Sequence, residues 1–146
     1  MRLVVDTSVL VGELLRAAGR IRLGDERLEL FLPEQMWGET QVELPRRITA
    51  FVRRRGIEPS LGDELATACL AAVEANIVIL DEGIYSALEE EARARALRDP
   101  RDWPAVASAL ALDAAIWTND NDFLGTGVAT WTTDTLRRWL ERQPQP

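Results

Sequence analysis

The chain contains no histidine and no lysine, so all 17 of its basic residues are arginine. The first absence excludes Ser–His and Cys–His nucleophiles and the histidine-based zinc proteases. The second excludes a P-loop lysine and a lysine Schiff base. The single cysteine, Cys69, can neither form an internal disulfide nor supply a zinc site, and it predicts a reducing, cytoplasmic location.

Long uncharged runs are also lacking. The longest, residues 123–133, is far shorter than the about 20 residues that cross a membrane, so we expect no membrane-spanning helix. Only three apolar residues precede Asp6 near the N-terminus, which predicts that no secretory signal is present. With 146 residues, 47% of them hydrophobic and 28% charged, the composition predicts one globular domain over residues 1–142 and a disordered tail at 143–146.

Carboxylates are abundant, since 24 acidic residues leave a net charge of -7. Oxygen-rich sites select hard cations such as Mg²⁺ and Mn²⁺. An enzyme built from these residues is therefore expected to use carboxylate–metal chemistry. The negative charge argues against a general nucleic-acid-binding surface, although it permits a local one.

Short apolar runs alternate with helical patterns along the chain. This alternation predicts an α/β fold with a mostly parallel sheet. We expect Gly19 to end the first helix, and Pro45 to kink or break the long third helix near Leu44. The predicted strands cover residues 3–5, 28–32, 77–80, 115–118 and 128–131.

Acidic residues follow the predicted strands or lie on the predicted helices in four places. Parallel strands end at the same edge of a sheet, and ligands of such sheets bind beyond that edge. Like charges repel, so a bound cation would explain why several carboxylates converge there. The four clusters are Asp6, Glu39 with Glu43, Asp99 with Asp102, and Asp120 with Asp122.

Each cluster also has a purely structural interpretation. Asp6 can cap the helix that follows it. Asp99 has the better local pattern for a cap, because Pro100 would take the first helical position. A solvated helix face or a turn is the corresponding alternative for Glu39, Glu43 and Asp122.

Four segments, in order, resemble the motifs of the PIN-domain ribonucleases, the family of the VapC-type toxins. Residues 3–10 (Leu-Val-Val-Asp-Thr-Ser-Val-Leu) resemble the opening motif, and residues 33–39 resemble the strand-to-helix segment with its acid. Residues 99–109 and 116–123 resemble the third and fourth acidic motifs. All four in order, in a chain of this length, are a specific signal.

The resemblance implies a Rossmann-like α/β/α sandwich around a five-stranded parallel sheet. It also implies cleavage of RNA that depends on Mg²⁺ or Mn²⁺, often by a homodimer. Matching positions make Asp6, Asp102 and Asp120 catalytic residues and metal ligands, and Glu39 the catalytic acid of the helix.

Further residues receive supporting roles from the same resemblance. Thr118 matches a hydroxyl that holds a ligand or a metal-bound water, and Asp122 matches an auxiliary acid. Ser8 stands where relatives often have asparagine. Glu43, one turn after Glu39, is the alternative acid of this helix, and a proline at position 45 departs from the family pattern.

Together these features predict a metal-dependent endoribonuclease, and the resemblance extends this to the toxin of a type II toxin–antitoxin pair with an antitoxin as partner. The alternative is a catalytically inactive PIN fold that binds RNA or protein. Two other classes with acidic Mg²⁺ sites are disfavoured. Haloacid-dehalogenase-type phosphatases need a second aspartate at the position of Ser8, and receiver modules need a lysine near the acidic site, whereas this chain has no lysine.

Five arginines of the long helix can contact phosphates or form a solvated face: Arg46, Arg47, Arg53, Arg54 and Arg55.

Overall fold

Five short strands form one sheet in the computed structural model, which describes residues 1–143. They are β1 (Arg2–Val5), β2 (Glu29–Pro33), β3 (Ile77–Leu80), β4 (Ala115–Trp117) and β5 (Thr130–Trp131). Every pairing is parallel, and the strand order is β3-β2-β1-β4-β5. The predicted α/β fold with a five-stranded parallel sheet is therefore confirmed.

Helices connect and cover the strands, as parallel pairing requires. No helix among residues 1–143 is both long and apolar enough to cross a membrane. Three short 3₁₀ turns, at Ser86–Leu88, Pro100–Asp102 and Asn121–Phe123, interrupt the connections. The helices are α1 (Thr7–Leu14), α2 (Ala17–Leu23), α3 (Glu34–Arg55), α4 (Pro59–Asn76), α5 (Glu82–Tyr85), α6 (Glu89–Arg95), α7 (Trp103–Leu112) and α8 (Thr133–Arg142).

The sheet has its topological switch point beside β1. The chain proceeds from β1 to β2 and β3 on one side, whereas β4 and β5 lie on the other side. Neighbouring connections leave in opposite directions at this point, which opens a crevice at the carboxyl ends of the strands. Val5 of β1 lies opposite Trp117 of β4, so the residues that follow these two strands are neighbours.

The core lies on both sides of the central strands. Leu3, Val4 and Val5 are completely buried, as expected for a parallel strand covered on both faces. Helix α7 is buried without interruption from Trp103 to Ala109. This apolar helix therefore holds its N-terminal end rigidly against the sheet.

Helix α3 is continuous from Glu34 to Arg55, so of the predicted kink or break near Leu44 the break is wrong. Proline removes one backbone donor and normally costs about 3 kcal/mol inside a helix. Here Leu44 and Ile48 are buried on either side of it. The hydroxyl of Thr49 also donates to the Pro45 carbonyl oxygen at 3.0 Å. Packing against the core therefore outweighs the local penalty.

Gly19 lies inside α2 and does not end the first helix, which corrects the second local prediction. The backbones of α1 and α2 approach closely at this point. A Cβ atom on residue 19 would come within 2.7 Å of the Glu13 Cα and closer still to its carbonyl oxygen. Glu13 is itself buried and pairs with Arg22. Gly19 is therefore required by helix packing.

The C-terminal helix is tied to the chain's first half. Arg27 donates to the carbonyl oxygens of Leu140 at 2.9 Å and Gln143 at 3.2 Å. The predicted disordered tail begins at Gln143, and its remaining positions, 144–146, lie outside the described residues. The single-domain boundary at residue 142 stays a prediction.

We expect Gly19→Ala to lower the free energy of unfolding by about 1–3 kcal/mol, because the new methyl group meets backbone atoms that cannot rotate away. Urea denaturation followed by circular dichroism measures this. Gly12→Ala in α1 is the control, since nothing lies within 4 Å of its Cβ position. That variant should gain about 0.5–1 kcal/mol from helix propensity. Equal effects of the two substitutions would contradict the close helix contact.

A candidate active site at the carboxyl end of the sheet

Asp6 lies directly after β1, and two hydroxyl groups hold its side chain. Ser8 Oγ donates to Asp6 Oδ2 at 2.7 Å, and Thr118 Oγ1 donates to the same oxygen at 3.0 Å. Asp6 stands at the N-cap position of α1, yet its carboxylate accepts no hydrogen bond from the helix backbone. The capping interpretation of Asp6 is therefore wrong, and its second oxygen, Oδ1, accepts no hydrogen bond within residues 1–143.

Thr118 connects the ends of two neighbouring strands. It is buried, with 2% of its surface exposed, directly after β4. Its hydroxyl donates to Asp6 and accepts the backbone N–H of Asp120 at 2.9 Å. Asp120 Oδ1 in turn accepts the backbone N–H of Asp122 at 2.9 Å. These connected hydrogen bonds fix the position of Asp120 relative to Asp6.

Asp6, Glu39 and Asp102 converge on one cavity of about 350 Å³. They come from three distant segments, namely the end of β1, the second turn of α3 and the start of α7. The sheet topology brings these segments to one edge of the sheet, and helix packing turns the side chains into the cavity. The cavity is also lined by Thr7, Met36, Asp99 and Arg101.

Asp102 is the most perturbed carboxyl group of this cluster. Burial removes water from its half-buried side chain and raises its pKa to about 7. The negative charges of Asp99, Asp6, Asp120 and Asp122 contribute to this value in the same direction. Acids of the first, third and fourth predicted motifs therefore all act electrostatically on Asp102.

Asp99 has the structural role that its sequence pattern predicts. It accepts the backbone N–H of Arg101 at 3.0 Å and so caps the turn at Pro100–Asp102. The Arg101 guanidinium also forms a fork on the Asp99 carboxylate, with Nη2 2.8 Å from Oδ2. Hydrogen bonds from Arg101 hold the pKa of Asp99 below its ordinary value.

Two residues of the cavity were missed by the sequence analysis. Arg101 brings a guanidinium to a wall that is otherwise acidic, although its side chain is 89% exposed. Thr7 presents a buried Oγ1 that has no hydrogen-bond partner among residues 1–143. Both positions adjoin a predicted acid, Asp102 or Asp6, and this adjacency was the available signal.

The structure separates the two candidate acids of α3. Glu39 lines the cavity, whereas Glu43 is absent from its lining and forms an ion pair with Arg47 at 3.2 Å. Asp120 and Asp122 also lie outside the lining, at the end of β4. Asp120 is nevertheless linked to Asp6 through Thr118.

The carboxylates line one cavity but are too far apart to coordinate a single ion together. Within residues 1–143, no three acidic or cysteine side chains are close enough to form a ready-made metal-binding group. A second cavity, of about 750 Å³, lies between α3 and α4, and apolar side chains such as Ile48, Val52 and Leu70 dominate it. It contains only one carboxylate, Asp63, and so lacks the paired acids that metal-assisted chemistry needs.

In metal-free buffer we expect the Asp102 carboxyl to titrate near pH 7, and Asp99 below the ordinary value of 3.8. Because the folded pKa of Asp102 exceeds the unfolded one, its ionisation destabilises the fold progressively from about pH 4 to 7 and fully above pH 7. ¹³C NMR of labelled aspartate, assigned with Asp102→Asn, measures both groups. The same variant should be more stable than the wild type at pH 8. A midpoint of Asp102 near 4 would contradict the assignment.

Comparisons with known proteins agree with this architecture. A family model described as the PIN domain matches residues 4–141. The crystal structure of PAE2754 from Pyrobaculum aerophilum is similar with a TM-score of 0.65 and 17% sequence identity, over 98% of this chain and 91% of that chain. The structure of FitAB bound to an IR36 DNA fragment is similar with a TM-score of 0.55 and 18% identity, over 90% and 94%.

No curated protein matches the sequence at a significant level. The two structural similarities, at such low identity, show the fold alone. The family model is independent of them and spans all four acidic motifs of the sequence, from the strand before Asp6 to the last helix. The chain therefore belongs to the PIN domain family.

Proposed function

We propose that this protein is a metal-dependent endoribonuclease that hydrolyses RNA phosphodiester bonds. The observation that carries the proposal is the convergence of Asp6, Glu39 and Asp102 on one cavity at the switch point of the sheet. Membership of the PIN domain family supports nuclease chemistry in general. The resemblance of the four motifs to VapC-type ribonucleases favours RNA over DNA as substrate.

The donor set fits Mg²⁺ or Mn²⁺, with Asp6, Asp102 and Asp120 as the residues that would hold the ion. Asp6 Oδ1 accepts no hydrogen bond within residues 1–143, and a cation would stabilise the ionised form of Asp102, which burial and the neighbouring carboxylates disfavour. Hard divalent cations prefer such carboxylate oxygens. When bound, the ion would supply Lewis acidity, which makes water a better nucleophile and offsets negative charge on the phosphate.

The chain's own residues would position the reacting groups. Ser8 and Thr118 orient Asp6 through two hydrogen bonds to one oxygen. Asp120 keeps Oδ2 free to orient the attacking water or accept its proton, since only Oδ1 binds the backbone of Asp122. The water oxygen would bond to phosphorus while the bond from phosphorus to the 3′ oxygen breaks, and the 3′ oxygen would leave with the electron pair and take a proton from solvent water. Arg101 lines the same cavity and stays paired with Asp99, so its positive charge would offset part of the repulsion between the carboxylates and a phosphate.

The biological setting that we propose is the toxin of a type II toxin–antitoxin pair, acting in the cytoplasm as a homodimer with an antitoxin protein as partner. The resemblance to VapC-type toxins supports this setting. The similar structure of FitAB contains a bound DNA fragment, so a DNA substrate belongs in the test as a control. The buried, unpaired Cys69 fits a reducing compartment.

A second candidate is a PIN fold without catalytic activity that binds RNA or protein. One observation favours it, namely that no three acidic side chains among residues 1–143 stand in chelating proximity. The cleavage experiment separates the two candidates.

Purified protein should cleave a randomised RNA pool with Mg²⁺ or Mn²⁺ and not with EDTA. The double variant Asp6→Asn, Asp102→Asn should lose more than about 100-fold in rate, because several kcal/mol of charge stabilisation disappear. The control Glu90→Gln, Asp113→Asn removes the same charge at exposed positions and should keep full activity. Parallel reactions contain a DNA pool.

Equal cleavage by the wild type and the double variant would show that the assigned acids do not act. If the wild type cleaves no RNA but Mn²⁺ raises its melting temperature and not that of the double variant, the inactive scaffold would replace the nuclease. Preferential cleavage of DNA would overturn the substrate assignment.

Thr118 should act as a positioning residue for Asp6. Thr118→Val keeps the shape of the buried side chain but removes both of its hydrogen bonds, so we expect a loss of about 10–100-fold in Mn²⁺ affinity. Thr118→Ser restores the hydroxyl and should recover most of the affinity. Isothermal titration with Mn²⁺ measures this independently of cleavage. Equal affinity of the valine and serine variants would contradict the role.

A further inference from the structure

The arginines that form no ion pair are concentrated on one helix. Most arginines of this acidic protein contact carboxylates, for example Arg22 with Glu13 and Arg95 with Glu91. Across residues 1–143, four exposed arginines of α3 form neither an ion pair nor a hydrogen bond, and three of them have no aromatic contact either. The three are Arg46, Arg53 and Arg54, and their neighbour Arg55 lies over the Phe51 ring, 5.2 Å from its centroid.

These free arginines share a helix face with the acid of the cavity. Glu39, Arg46 and Arg53 follow one another at intervals of seven residues, which places them on nearly the same side of an α-helix. At 1.5 Å per residue, Arg46 lies about 10 Å and Arg53 about 21 Å along the axis from Glu39. The apolar cavity lies mainly against another side of α3, which includes Gln41, Ile48 and Val52, although the exposed Arg53 also contributes to its lining.

An acidic protein that handles RNA faces an electrostatic problem. Its net charge of -7 and its acidic cavity both repel a polyanion. Guanidinium groups that are paired with carboxylates gain little from a phosphate, because a new contact would replace an existing one. Arginines without a carboxylate partner can bind phosphates directly, and their planar donors match phosphate oxygens.

We propose that Arg46, Arg53 and Arg54 form a phosphate-binding track that holds an RNA strand as it leaves the acidic cavity. The identity of the strand as RNA rests on the proposed function. A stacked strand advances about 3.4 Å per nucleotide. Arg46 would therefore meet a phosphate about three nucleotides from Glu39, and Arg53 one about six nucleotides from it.

The test measures binding without cleavage. A fluorescein-labelled RNA pool of 16 random nucleotides is titrated with protein in EDTA at several salt concentrations, and fluorescence anisotropy gives Kd. The variant Arg46→Gln, Arg53→Gln is compared with the control Arg137→Gln, Arg138→Gln. Each removes two exposed positive charges, but the control residues are paired with Asp134 on α8. Urea unfolding verifies that both variants fold.

The track variant should raise Kd about tenfold at 0.1 M salt and lower the slope of log Kd against log salt by about 1.4, which corresponds to two lost phosphate contacts on a single strand. The control should stay close to the wild type. A labelled tetranucleotide, about 14 Å long when stacked, cannot reach from the cavity to Arg53. It should bind the wild type and the track variant with affinities that differ far less than those of the 16-mer.

This experiment distinguishes a failure of the phosphate-binding track from a failure of the proposed nuclease activity. Loss of RNA affinity in the track variant supports the track even if no Mn²⁺-dependent cleavage is found, in which case the nuclease proposal fails alone. Equal affinity of the track variant and the control overturns the track, even if RNA is cleaved normally. The free arginines would then suit an acidic protein partner better than RNA.

Discussion

The pairing of β1 with β4 is the constraint on which the site depends. The backbone N–H of Asp6 donates to the Trp117 carbonyl at 3.0 Å and extends the ladder one residue beyond the end of β1. Thr118 follows immediately, and its hydroxyl reaches both Asp6 and the backbone of Asp120. Because the sheet is parallel, a one-residue change of register would turn Thr118 away from Asp6 and separate the first and fourth acidic motifs.

The electrostatics of the cavity reflect a compromise between stability and chemistry. Burial and neighbouring carboxylates raise the pKa of Asp102, which means that the metal-free fold is disfavoured when this group ionises. Sites of this kind are expected to trade stability for function. Arg101 offsets part of the negative charge, but its fork on Asp99 directs it to one carboxylate. A divalent cation would neutralise the remainder.

The continuity of α3 connects the acidic cavity with the arginine cluster. The helix begins at the carboxyl end of β2, where Glu39 faces the cavity, and runs on through Pro45 to the arginine cluster. A break near Leu44 would have turned Arg46 and Arg53 onto an unrelated face. Leu44 and Ile48, on either side of Pro45, are buried and pack this stretch of α3 against the core. The packing of Leu44 and Ile48 therefore keeps Arg46 and Arg53 on the same helix as Glu39.

The sequence by itself determined the five strands, the parallel α/β class and the family. Apolar runs and acidic motifs are local patterns, so they predict strands and helices without knowledge of the tertiary contacts. Local patterns failed where long-range packing decides, as at Pro45 and at Gly19, which meets the backbone of Glu13. Only the tertiary structure showed that Glu39, and not Glu43, faces the cavity, and that Arg101 joins it. These choices depend on how α3 rotates against the sheet and how the turn before α7 folds, and burial of residues far apart in the chain sets both.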